Sequence, residues 1–372
     1  MNRLLFLLAP ALLGISFLDS FKSAPRAKPI VLAYVGGFRG LVDTERIEAE
    51  KLTHINYAFV DIKANRAWLH NLATDSTNFR KLNALKRRNP DLKILISIGG
   101  WAWSENFSDA VLSDTSRAAF AASAVDIVRQ YDLDGIDIDW EYPGMKGEDN
   151  VFRPEDNQNF TLMFKALREG LNTLGTQTRK PYLVTTALPG FEGIFTHTNM
   201  AEVHPYLDFI NVMSYDFYTG GPTAGHHTNL YPSGKVANES SGDRAVQRYR
   251  QAGVPAEKLV LGIAFYGRAW QLQSADPEAH PRTIRKVERG GGYTYIKDSL
   301  LTNPAYQRHW DRRAKAPYLF RAENQIFFSY DDEQSVRAKC RYVKRNGLAG
   351  VMFWEYFSDP KGYLLHEIDR QF

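Results

Sequence analysis

Short apolar stretches recur along the chain at long intervals, with polar residues between them. They are rich in β-branched residues, which at this length favours strands over helices. The stretches are IVLAYV at 30–35, HINYAFV at 54–60, KILISIG at 93–99, GIDIDW at 135–140, YLVTTAL at 182–188, FINVMS at 209–214, LVLGIAF at 259–265 and LAGVMFW at 348–354. Nearly continuous apolar runs are typical of parallel strands that are covered on both faces. The pattern therefore predicts eight buried strands.

Amphipathic helical patterns lie between most of these runs. The clearest cover residues 115–131, 155–174 and 329–346. Strands that alternate with helices predict a parallel sheet with crossover connections, and eight strands is the number that closes a (β/α)8 barrel. We therefore predict an α/β fold, a TIM barrel over residues 28–372, with an open doubly wound sheet as the alternative.

The interval between the seventh and eighth predicted strands is too long for one crossover helix. It is rich in Tyr, Gly and Arg and carries no clear helical period. Insertions in a barrel lie in its loops, and those that follow a strand lie on the catalytic face. We expect residues 268–328 to form a small α+β subdomain beside the site.

The run DGIDIDWEYP, at residues 134–143, alternates acidic and apolar side chains with the period of a strand. Asp137, Asp139 and Glu141 would then share one face, with successive Cα atoms roughly 7 Å apart. Asp134 has the opposite parity and is predicted to be structural. Crowded carboxylates resist ionisation, which would raise the pKa of Glu141 into the range of a general acid near neutral pH.

Two other interpretations of the acidic run remain open from the residues alone. The carboxylates could pair with Arg or Lys side chains in the barrel, or they could bind Mg²⁺ or Ca²⁺. Ligands spaced two apart on a straight strand do not surround an ion, so we predict no metal site.

Together with three further motifs in order along the chain, this run resembles the family-18 glycoside hydrolases, the chitinases. DGIDIDWE resembles the family's fourth-strand signature. Ser97-Ile98-Gly99-Gly100 resembles its S-x-G-G on strand three, MSYD at 213–216 its M-x-Y-D on strand six, and YGR at 266–268 its Y-G-R on strand seven. The resemblance covers about residues 30–369 and includes the long insertion, which is similar to that of a subgroup with deep clefts.

The resemblance implies hydrolysis of β-1,4-linked N-acetylglucosamine polymers with retention and without a cofactor. Glu141 would protonate the glycosidic oxygen, and the 2-acetamido carbonyl of the sugar would attack its own C1. Asp139 would orient the acetamido group and Asp137 would share a proton with Asp139. Tyr215 would donate to the acetamido oxygen, and Asp216 would hold the distorted sugar.

Aromatic side chains near the strand ends suit the apolar faces of sugar rings. The resemblance implies that Trp354 forms the floor under the reacting sugar, and Trp101 and Trp103 are candidates for stacking on neighbouring sugars. Further candidates for substrate binding are Tyr34, Phe59, Gly100, Met213, Tyr266 and Arg268. Core packing is the alternative for each aromatic residue, above all for Phe59 and Tyr34.

Three histidines and three peptide bonds carry smaller expectations. We predict that His226 and His227 lie in a loop over the cleft rather than in a metal site, because adjacent residues rarely chelate one ion. His54 is predicted to belong to the core or to support the site. The family resemblance also implies cis peptide bonds at Ala58–Phe59, Glu141–Tyr142 and Trp354–Glu355.

Composition narrows the class of protein. The chain has 372 residues, is 44% hydrophobic and 24% charged, and has a net charge of +4 with no basic tract, which argues against a nucleic-acid partner. The single cysteine, Cys340, excludes an internal disulfide.

Residues 1–18 contain Arg3 followed by an apolar run that is too short for a typical membrane span. We predict a signal peptide over residues 1–24 and a secreted monomer, extracellular or periplasmic, free of the membrane after cleavage; an uncleaved anchor is the alternative.

The predicted partners are chitin and chitin oligosaccharides, but two other functions occur on this fold. A chitin-binding lectin of the family typically lacks the acid Glu, so the presence of Glu141 favours catalysis. An endo-β-N-acetylglucosaminidase acting on N-glycans is the second alternative, and the M-x-Y-D and Y-G-R motifs with the insertion favour chitin. Endo or exo action stays open.

Overall fold

The computed structural model describes residues 28–278 and 280–372, so the predicted signal peptide lies outside the described residues. The strands are β1 (Ile30–Gly36), β2 (His54–Lys63), β3 (Arg66–Trp68), β4 (Lys93–Gly99), β5 (Gly135–Asp139), β6 (Leu183–Pro189), β7 (Phe209–Met213), β8 (Thr223–Ala224), β9 (Leu259–Ala264), β10 (Tyr266–Leu272), β11 (Arg282–Gly292), β12 (Gln307–Asp311), β13 (Ala316–Arg321), β14 (Ile326–Ser329) and β15 (Gly350–Trp354). The helices are α1 (Leu72–Ala84), α2 (Phe107–Ala110), α3 (Asp114–Gln130), α4 (Asp156–Thr178), α5 (Ile194–His197), α6 (Met200–Val203), α7 (Gly242–Gln251), α8 (Tyr293–Tyr295), α9 (Glu333–Asn346) and α10 (Tyr363–Gln371).

Eight of these strands close into a parallel barrel. Neighbours around the ring follow the order β1, β2, β4, β5, β6, β7, β9 and β15, and β15 pairs with β1 to complete it. Each of the eight apolar runs overlaps one barrel strand, and the bounds differ by at most a few residues. The barrel is confirmed, and the open doubly wound sheet is wrong.

The three predicted helices correspond to α3, α4 and α9. The last begins at Glu333 rather than at residue 329, because Ser329 still belongs to β14 and Asp332 serves as the N-cap. The Asp332 carboxylate accepts hydrogen bonds from the backbone N–H groups of Gln334 and Ser335, both at 2.9 Å. Such a cap typically contributes about 0.5–2 kcal/mol to stability. Among the described helices, none has the length and apolar composition needed to cross a membrane.

A second, antiparallel sheet follows the seventh barrel strand, where the long interval predicted an insertion. Its strand order is β12, β13, β14, β10, β11 and β8. Five of these strands lie between Tyr266 and Ser329. The sixth, β8, comes from the loop after β7 and pairs with β11, with Ala224 opposite Arg282. No pattern in the sequence predicted this two-residue strand.

Apolar and acidic side chains alternate along β5, so that one set faces the main core and the other faces the barrel interior. Ile136, Ile138 and the following Trp140 are fully buried in the main core, where the Trp140 ring stacks on Phe107 with centroids 5.1 Å apart. Full burial of an apolar side chain of this size contributes about 1.5–3 kcal/mol. The acidic residues between them face the interior of the barrel. A smaller apolar cluster lies on that side and consists of Leu32, Tyr34, Ala58, Ala187, Phe209, Val260 and Met352.

Candidate active site

Asp137 lies in the barrel interior and is fully buried. Four strands direct a donor at its carboxylate: Tyr34 Oη at 2.9 Å and Ser97 Oγ at 2.8 Å reach Oδ2, while Thr185 Oγ1 at 2.6 Å and Asn211 Nδ2 at 3.2 Å reach Oδ1. Burial raises the pKa of Asp137, and the four donors offset only part of that rise. The carboxyl group is therefore fixed in position from four directions.

Asp139 is the next inward-facing residue and is buried too. Its Oδ1 has no hydrogen-bond partner among the described residues. Burial, followed by the charges of Glu141 and Asp137, raises the pKa of Asp139 well above its ordinary value. A buried acceptor without a donor costs about 1–3 kcal/mol. Asp139 therefore has a free hydrogen-bonding position in the site.

Glu141 completes the row and is half-buried. Burial raises the pKa of its carboxyl to about 7; the Tyr142 hydroxyl opposes this rise and the charge of Asp216 adds to it. Glu141 and Asp139 titrate as an interacting pair, since each carboxylate disfavours ionisation of the other. A carboxyl group with this pKa holds its proton over a part of the range near neutral pH, as a general acid requires.

The segment that follows β4 holds the backbone of this acidic row. The Ser104 hydroxyl lies within hydrogen-bond distance of the carbonyl oxygens of Gly100, at 2.9 Å, and Asp139, at 3.2 Å. It also accepts a hydrogen bond from the Glu141 backbone N–H at 2.9 Å. Sequence reasoning missed Ser104, because a single serine after the strand-three motif carries no distinguishing pattern.

The two glycines of the strand-three motif permit a close approach to the site. Gly99 and Gly100 have φ values of 106° and 82°, in the region that favours glycine. A Cβ on Gly99 would lie 2.3 Å from the Asp139 carbonyl oxygen, and one on Gly100 would lie 2.5 Å from the Phe59 ring. A side chain at either position would displace part of the site.

Asp216 follows β7 and has a left-handed backbone conformation, with φ of 59°. Arg268 donates to it through Nε, at 2.8 Å from Oδ1, and through Nη2, at 2.6 Å from Oδ2. Burial alone would raise the pKa of Asp216, but His227 and Arg268 outweigh it and hold the pKa below its ordinary value. Asp216 therefore carries a negative charge at neutral pH.

Tyr215 precedes Asp216 and packs edge-on against Tyr266, with ring centroids 6.1 Å apart. Its hydroxyl makes a weak contact of 3.7 Å with Met352 Sδ. Burial and the charges of the surrounding carboxylates raise the pKa of Tyr215 well above its ordinary value. The hydroxyl keeps its proton and is available as a donor.

Trp354 lies at the end of β15 within a group of aromatic rings. Phe59 stacks on it with centroids 5.4 Å apart and Tyr34 tilts against it at 5.8 Å. Phe38, which sequence reasoning missed, stacks on it at 6.3 Å and is 49% exposed. Met213 packs on the same interior cluster as Trp354.

The three predicted cis peptide bonds are present, at Ala58–Phe59, Glu141–Tyr142 and Trp354–Glu355.

The other two tryptophan candidates lie in the segment after β4 and point to different neighbours. Trp101 is half exposed and approaches Tyr142 edge-on, with centroids 6.4 Å apart. Trp103 stacks on His70 at 5.1 Å. The structure thus places Trp101 beside Tyr142, the residue that follows Glu141. Among the described residues, the ring contact of Trp103 is with His70 instead.

His226 and His227 lie in the irregular segment between β8 and α7, so the predicted loop is present, and its placement over the cleft stays a prediction. Both side chains are buried, with 1% and 0% exposure. Their segment packs against the inserted sheet, where the His227 backbone N–H donates to Ser329 Oγ at 2.9 Å. His226 Nε2 lies 3.3 Å from Asp311 Oδ2.

Asp134 and His54 lie outside the acidic row. The Asp134 carboxylate forms ion pairs with Lys86 at 2.6 Å and Lys180 at 3.0 Å and accepts from the Ile94 backbone N–H, which agrees with a structural role. His54 packs edge-on against Phe209, with ring centroids 5.3 Å apart.

Over the part of the chain that the structure describes, no three His, Cys, Asp or Glu side chains are grouped to hold a metal ion.

Comparison with known proteins connects this geometry to a family. Residues 30–359 match the profile of Glycosyl hydrolases family 18. This chain belongs to that family. Chitinase A1 of Niallia circulans is 40% identical to this family-18 hydrolase over 307 residues, which cover 78% of the chain and 44% of that protein. Chitinase B of Serratia marcescens is 32% identical over 391 residues, covering 87% and 77%.

Solved structures of the family share the fold. An N-acetylglucosaminidase of family 18 from Paenibacillus barengoltzii superposes with a TM-score of 0.86 at 40% identity, covering 93% of this chain and 100% of that one. Group IV chitinase of Ostrinia furnacalis in complex with allosamidin superposes with a TM-score of 0.83 at 29% identity, covering 92% and 98%. The chain spans less than half of Chitinase A1 but the full length of the Paenibacillus structure.

Proposed function

We propose that this family-18 hydrolase is a chitinase, which cleaves β-1,4-linked N-acetylglucosamine polymers and oligomers with retention by substrate-assisted catalysis. The observation that carries the proposal is the acidic row of β5 and its continuation. A fixed carboxyl at Asp137, an acceptor without a donor at Asp139 and a proton-holding carboxyl at Glu141 follow one another on one face.

Glu141 supplies the proton in the first step. The proton passes to the glycosidic oxygen as its bond to C1 breaks, and the 2-acetamido carbonyl oxygen forms a bond to C1, giving an oxazolinium-type intermediate. Glu141, now a carboxylate, takes a proton from water as that water attacks C1. The attack breaks the bond between C1 and the acetamido oxygen and so opens the oxazolinium ring. General acid–base catalysis of this kind contributes roughly 10²–10⁴-fold.

Asp139 provides the partner for the acetamido N–H. Its buried Oδ1 has no donor among the described residues, so a substrate N–H directed at it would satisfy an acceptor that the fold leaves unpaired. Orienting the acetamido group brings its carbonyl oxygen close to C1 before the reaction starts. Asp137 acts on Asp139 through its charge, which raises the pKa of Asp139, and the two carboxyl groups share a proton.

The remaining side chains position the sugar. Tyr215 donates its hydroxyl proton to the acetamido oxygen, and the ionised Asp216 accepts from the hydroxyl groups of the distorted ring. Trp354, supported by Phe59 and Tyr34, presents its face to the apolar side of the sugar. The other proposed contacts of the bound chain are with Gly100, Trp101, Trp103, Met213, Tyr266 and Arg268.

The relatives support chitin oligosaccharides as the ligands. Besides the two chitinases named above, class V chitinase of tobacco, 27% identical with a TM-score of 0.82, has been solved in complex with NAG4. The alternatives are a lectin and a hydrolase of N-glycans. The presence of Glu141 in the acidic row argues against the lectin.

A second candidate is an exo-acting N-acetylglucosaminidase of the same family. The Paenibacillus enzyme is named an N-acetylglucosaminidase, is 40% identical and matches over its whole length. Its chemistry at the reacting sugar would be the same, since only the number of sugars bound on each side of the scissile bond differs.

We also propose secretion as a monomer. The support is the apolar run of residues 1–18, which has the length of a secretory signal. N-terminal sequencing of protein recovered outside the cytoplasm, together with light scattering of the purified chain, tests both parts. An intact N-terminus in the membrane fraction would contradict cleavage.

The deciding experiment is the product pattern from chitin oligosaccharides of defined length, with Glu141→Gln as the matched control. A chitinase releases disaccharides or mixed oligomers that Glu141→Gln does not produce, whereas an exo-acting enzyme releases monosaccharide from the first time point. Binding without turnover by the native chain would show a lectin. Turnover of a high-mannose N-glycan in preference to the oligosaccharides would show the N-glycan hydrolase.

A further inference from the structure

The ring of His227 lies against Asp216, and the mechanism above gives this histidine no role. Its Nδ1 is 3.4 Å from Asp216 Oδ1, and the ring packs on Tyr266 with centroids 5.3 Å apart. The side chain is fully buried. Among the described residues, neither ring nitrogen has a well-aligned hydrogen-bond partner. A buried imidazole without a well-aligned partner, at this distance from a functional carboxylate, calls for an explanation.

Two backbone hydrogen bonds hold the residue that carries this ring. The His227 backbone N–H donates to Ser329 Oγ at 2.9 Å, and its carbonyl oxygen accepts from the Phe217 backbone N–H at 3.2 Å. His227 therefore reaches Asp216 from a segment attached to the inserted sheet.

The residue that follows His227 is anchored by a buried ion pair. Thr228 Oγ1 donates to Asp331 Oδ2 at 2.8 Å and accepts from Lys339 Nζ at 2.7 Å. Lys339 and Asp331 are themselves 2.6 Å apart, and both side chains are almost completely buried. Movement of Thr228 away from this pair would leave buried polar groups without partners, which costs about 1–3 kcal/mol for each group and opposes movement of the segment.

The groups around the ring determine its charge. Asp216 faces it from the end of β7, Arg268 and Tyr266 from β10, and Asp331 from the segment after β14. Burial lowers the pKa of His227, Asp216 and Asp331 oppose this, and Arg268 adds to it, so that the pKa stays below its ordinary value. The ring is neutral at neutral pH and carries one N–H.

We propose that His227 is a positioning residue for Asp216: the neutral ring directs Nδ1–H at Oδ1 and, together with Arg268, keeps the carboxylate ionised and oriented toward the substrate. This role rests on the proposed function of Asp216. The Arg268 side chain is 43% exposed and can be hydrated or displaced, whereas the buried His227 ring cannot. The two donors are therefore not equivalent.

Through Asp216, the positioning role of His227 also affects the protonation of Glu141. The negative charge of Asp216 is one of the causes that raise the pKa of Glu141. If the imidazole donor is lost, Asp216 takes up a proton at higher pH, and the active form with ionised Asp216 and protonated Glu141 exists over a narrower range. A purely structural defect would instead lower the rate by the same factor at all pH values.

The test compares three variants by the pH dependence of kcat and KM on one chitin oligosaccharide. His227→Asn places an amide nitrogen the same number of bonds from the backbone as Nδ1 and should keep the acid limb of the profile. His227→Phe fills the volume without a donor; it should move the acid limb upward and lower kcat at neutral pH by about 10–100-fold, the range for a hydrogen bond to a charged group. His226→Asn is the control, because His226 is equally buried but faces Asp311.

A native acid limb in His227→Phe, or a shift in His227→Asn as large as in His227→Phe, would overturn the proposal. A second readout does not depend on activity: ¹⁵N chemical shifts of the His227 ring in the free enzyme should show the Nδ1–H tautomer, with Nε2 unprotonated. The opposite tautomer would also overturn it. If the ring signals are as expected while Glu141→Gln retains full turnover, the proposed function fails and the contact between His227 and Asp216 stands.

Discussion

The carboxylate of Asp216 and the guanidinium of Arg268 form two parallel hydrogen bonds, 2.8 Å between Nε and Oδ1 and 2.6 Å between Nη2 and Oδ2. Asp216 follows a barrel strand, whereas Arg268 belongs to the inserted sheet. The pair therefore joins the two parts of the molecule at the site. A bidentate pair fixes the plane of the carboxylate as well as its charge, so the insertion helps to define the geometry of the catalytic face.

Glu141→Gln should reduce turnover by at least roughly 10²–10⁴-fold, the usual contribution of a general acid. The substitution removes the proton and preserves the shape of the side chain, so oligosaccharide binding should persist. Single-turnover kinetics and calorimetric titration of the purified variant check the two parts. Hydrolysis close to the native rate would exclude Glu141 as the acid.

The same substitution should change how stability depends on pH. Burial raises the pKa of Glu141 from 4.5 to about 7, so the folded state holds this proton more tightly than the unfolded chain. The resulting stabilisation is complete below pH 4.5 and disappears as the pH rises through 7. Glu141→Gln should therefore lose less stability than the native chain between pH 5 and pH 8 in denaturant titrations. Parallel curves for the two proteins would contradict the raised pKa.

The pH profile of kcat/KM should decline on its basic side near pH 7. This side reports the acid group of the free enzyme, which must be protonated to donate, and the pKa of Glu141 is about 7. Rates at pH 6, 7, 8 and 9 on a soluble chitin oligosaccharide should fall about tenfold per unit once the pH exceeds that value. A profile that stays flat to pH 9 would assign the proton to another group.

Hydrolysis should require an N-acetyl group on the sugar in the reacting position. The proposed mechanism uses the acetamido carbonyl as the nucleophile, and Asp137 and Asp139 share a strand face with Glu141, so neither is placed to attack from the opposite side of the sugar. Fully deacetylated chitosan and cellulose should be inert. Partly acetylated chitosan should yield N-acetylglucosamine at every new reducing end, as read by NMR of the products. Substantial glucosamine at those ends would overturn the mechanism.

Ser104→Ala should disturb the acidic row without removing any acid. The Glu141 backbone N–H would lose its acceptor, at a cost of about 1–3 kcal/mol if it stays unpaired. We expect lower stability in denaturant titration together with a lower kcat, because the peptide that carries Glu141 is no longer held. Ser76→Ala, whose hydroxyl has only exposed contacts, is the control and should change neither quantity. Native kcat in a destabilised Ser104→Ala would limit Ser104 to a structural role.

The strand period explains why so much of the acidic row could be predicted from the sequence. Apolar residues at 136, 138 and 140 had to face the helices, which left Asp137, Asp139 and Glu141 for the interior. The barrel followed in the same way from the number of buried runs. These features depend on local alternation and need no knowledge of which segments meet in space.

Other parts of the site depend on contacts between segments that are distant along the chain. Ser104 contacts a backbone group 37 positions away, and the His227 backbone donates to Ser329, 102 positions later. The loop that carries the adjacent histidines could be predicted, but the burial of both side chains could not, because nothing in their immediate sequence reveals the contacts with the inserted sheet. Phe38 was missed for a related reason: its stacking partner, Trp354, comes from the opposite end of the chain.

Because the short strand β8 pairs with the inserted sheet, the loop after β7 and the inserted sheet have to be exchanged together in a chimeric protein. Residues 223–224 pair with β11, and the same loop carries Asp216 before these residues and His227 after them. A chimera that received the insertion of a relative without this loop would mismatch both the edge pairing and the partners of Asp216. Recombination within the family should therefore succeed where both segments come from the same parent, and their sequences should diverge together.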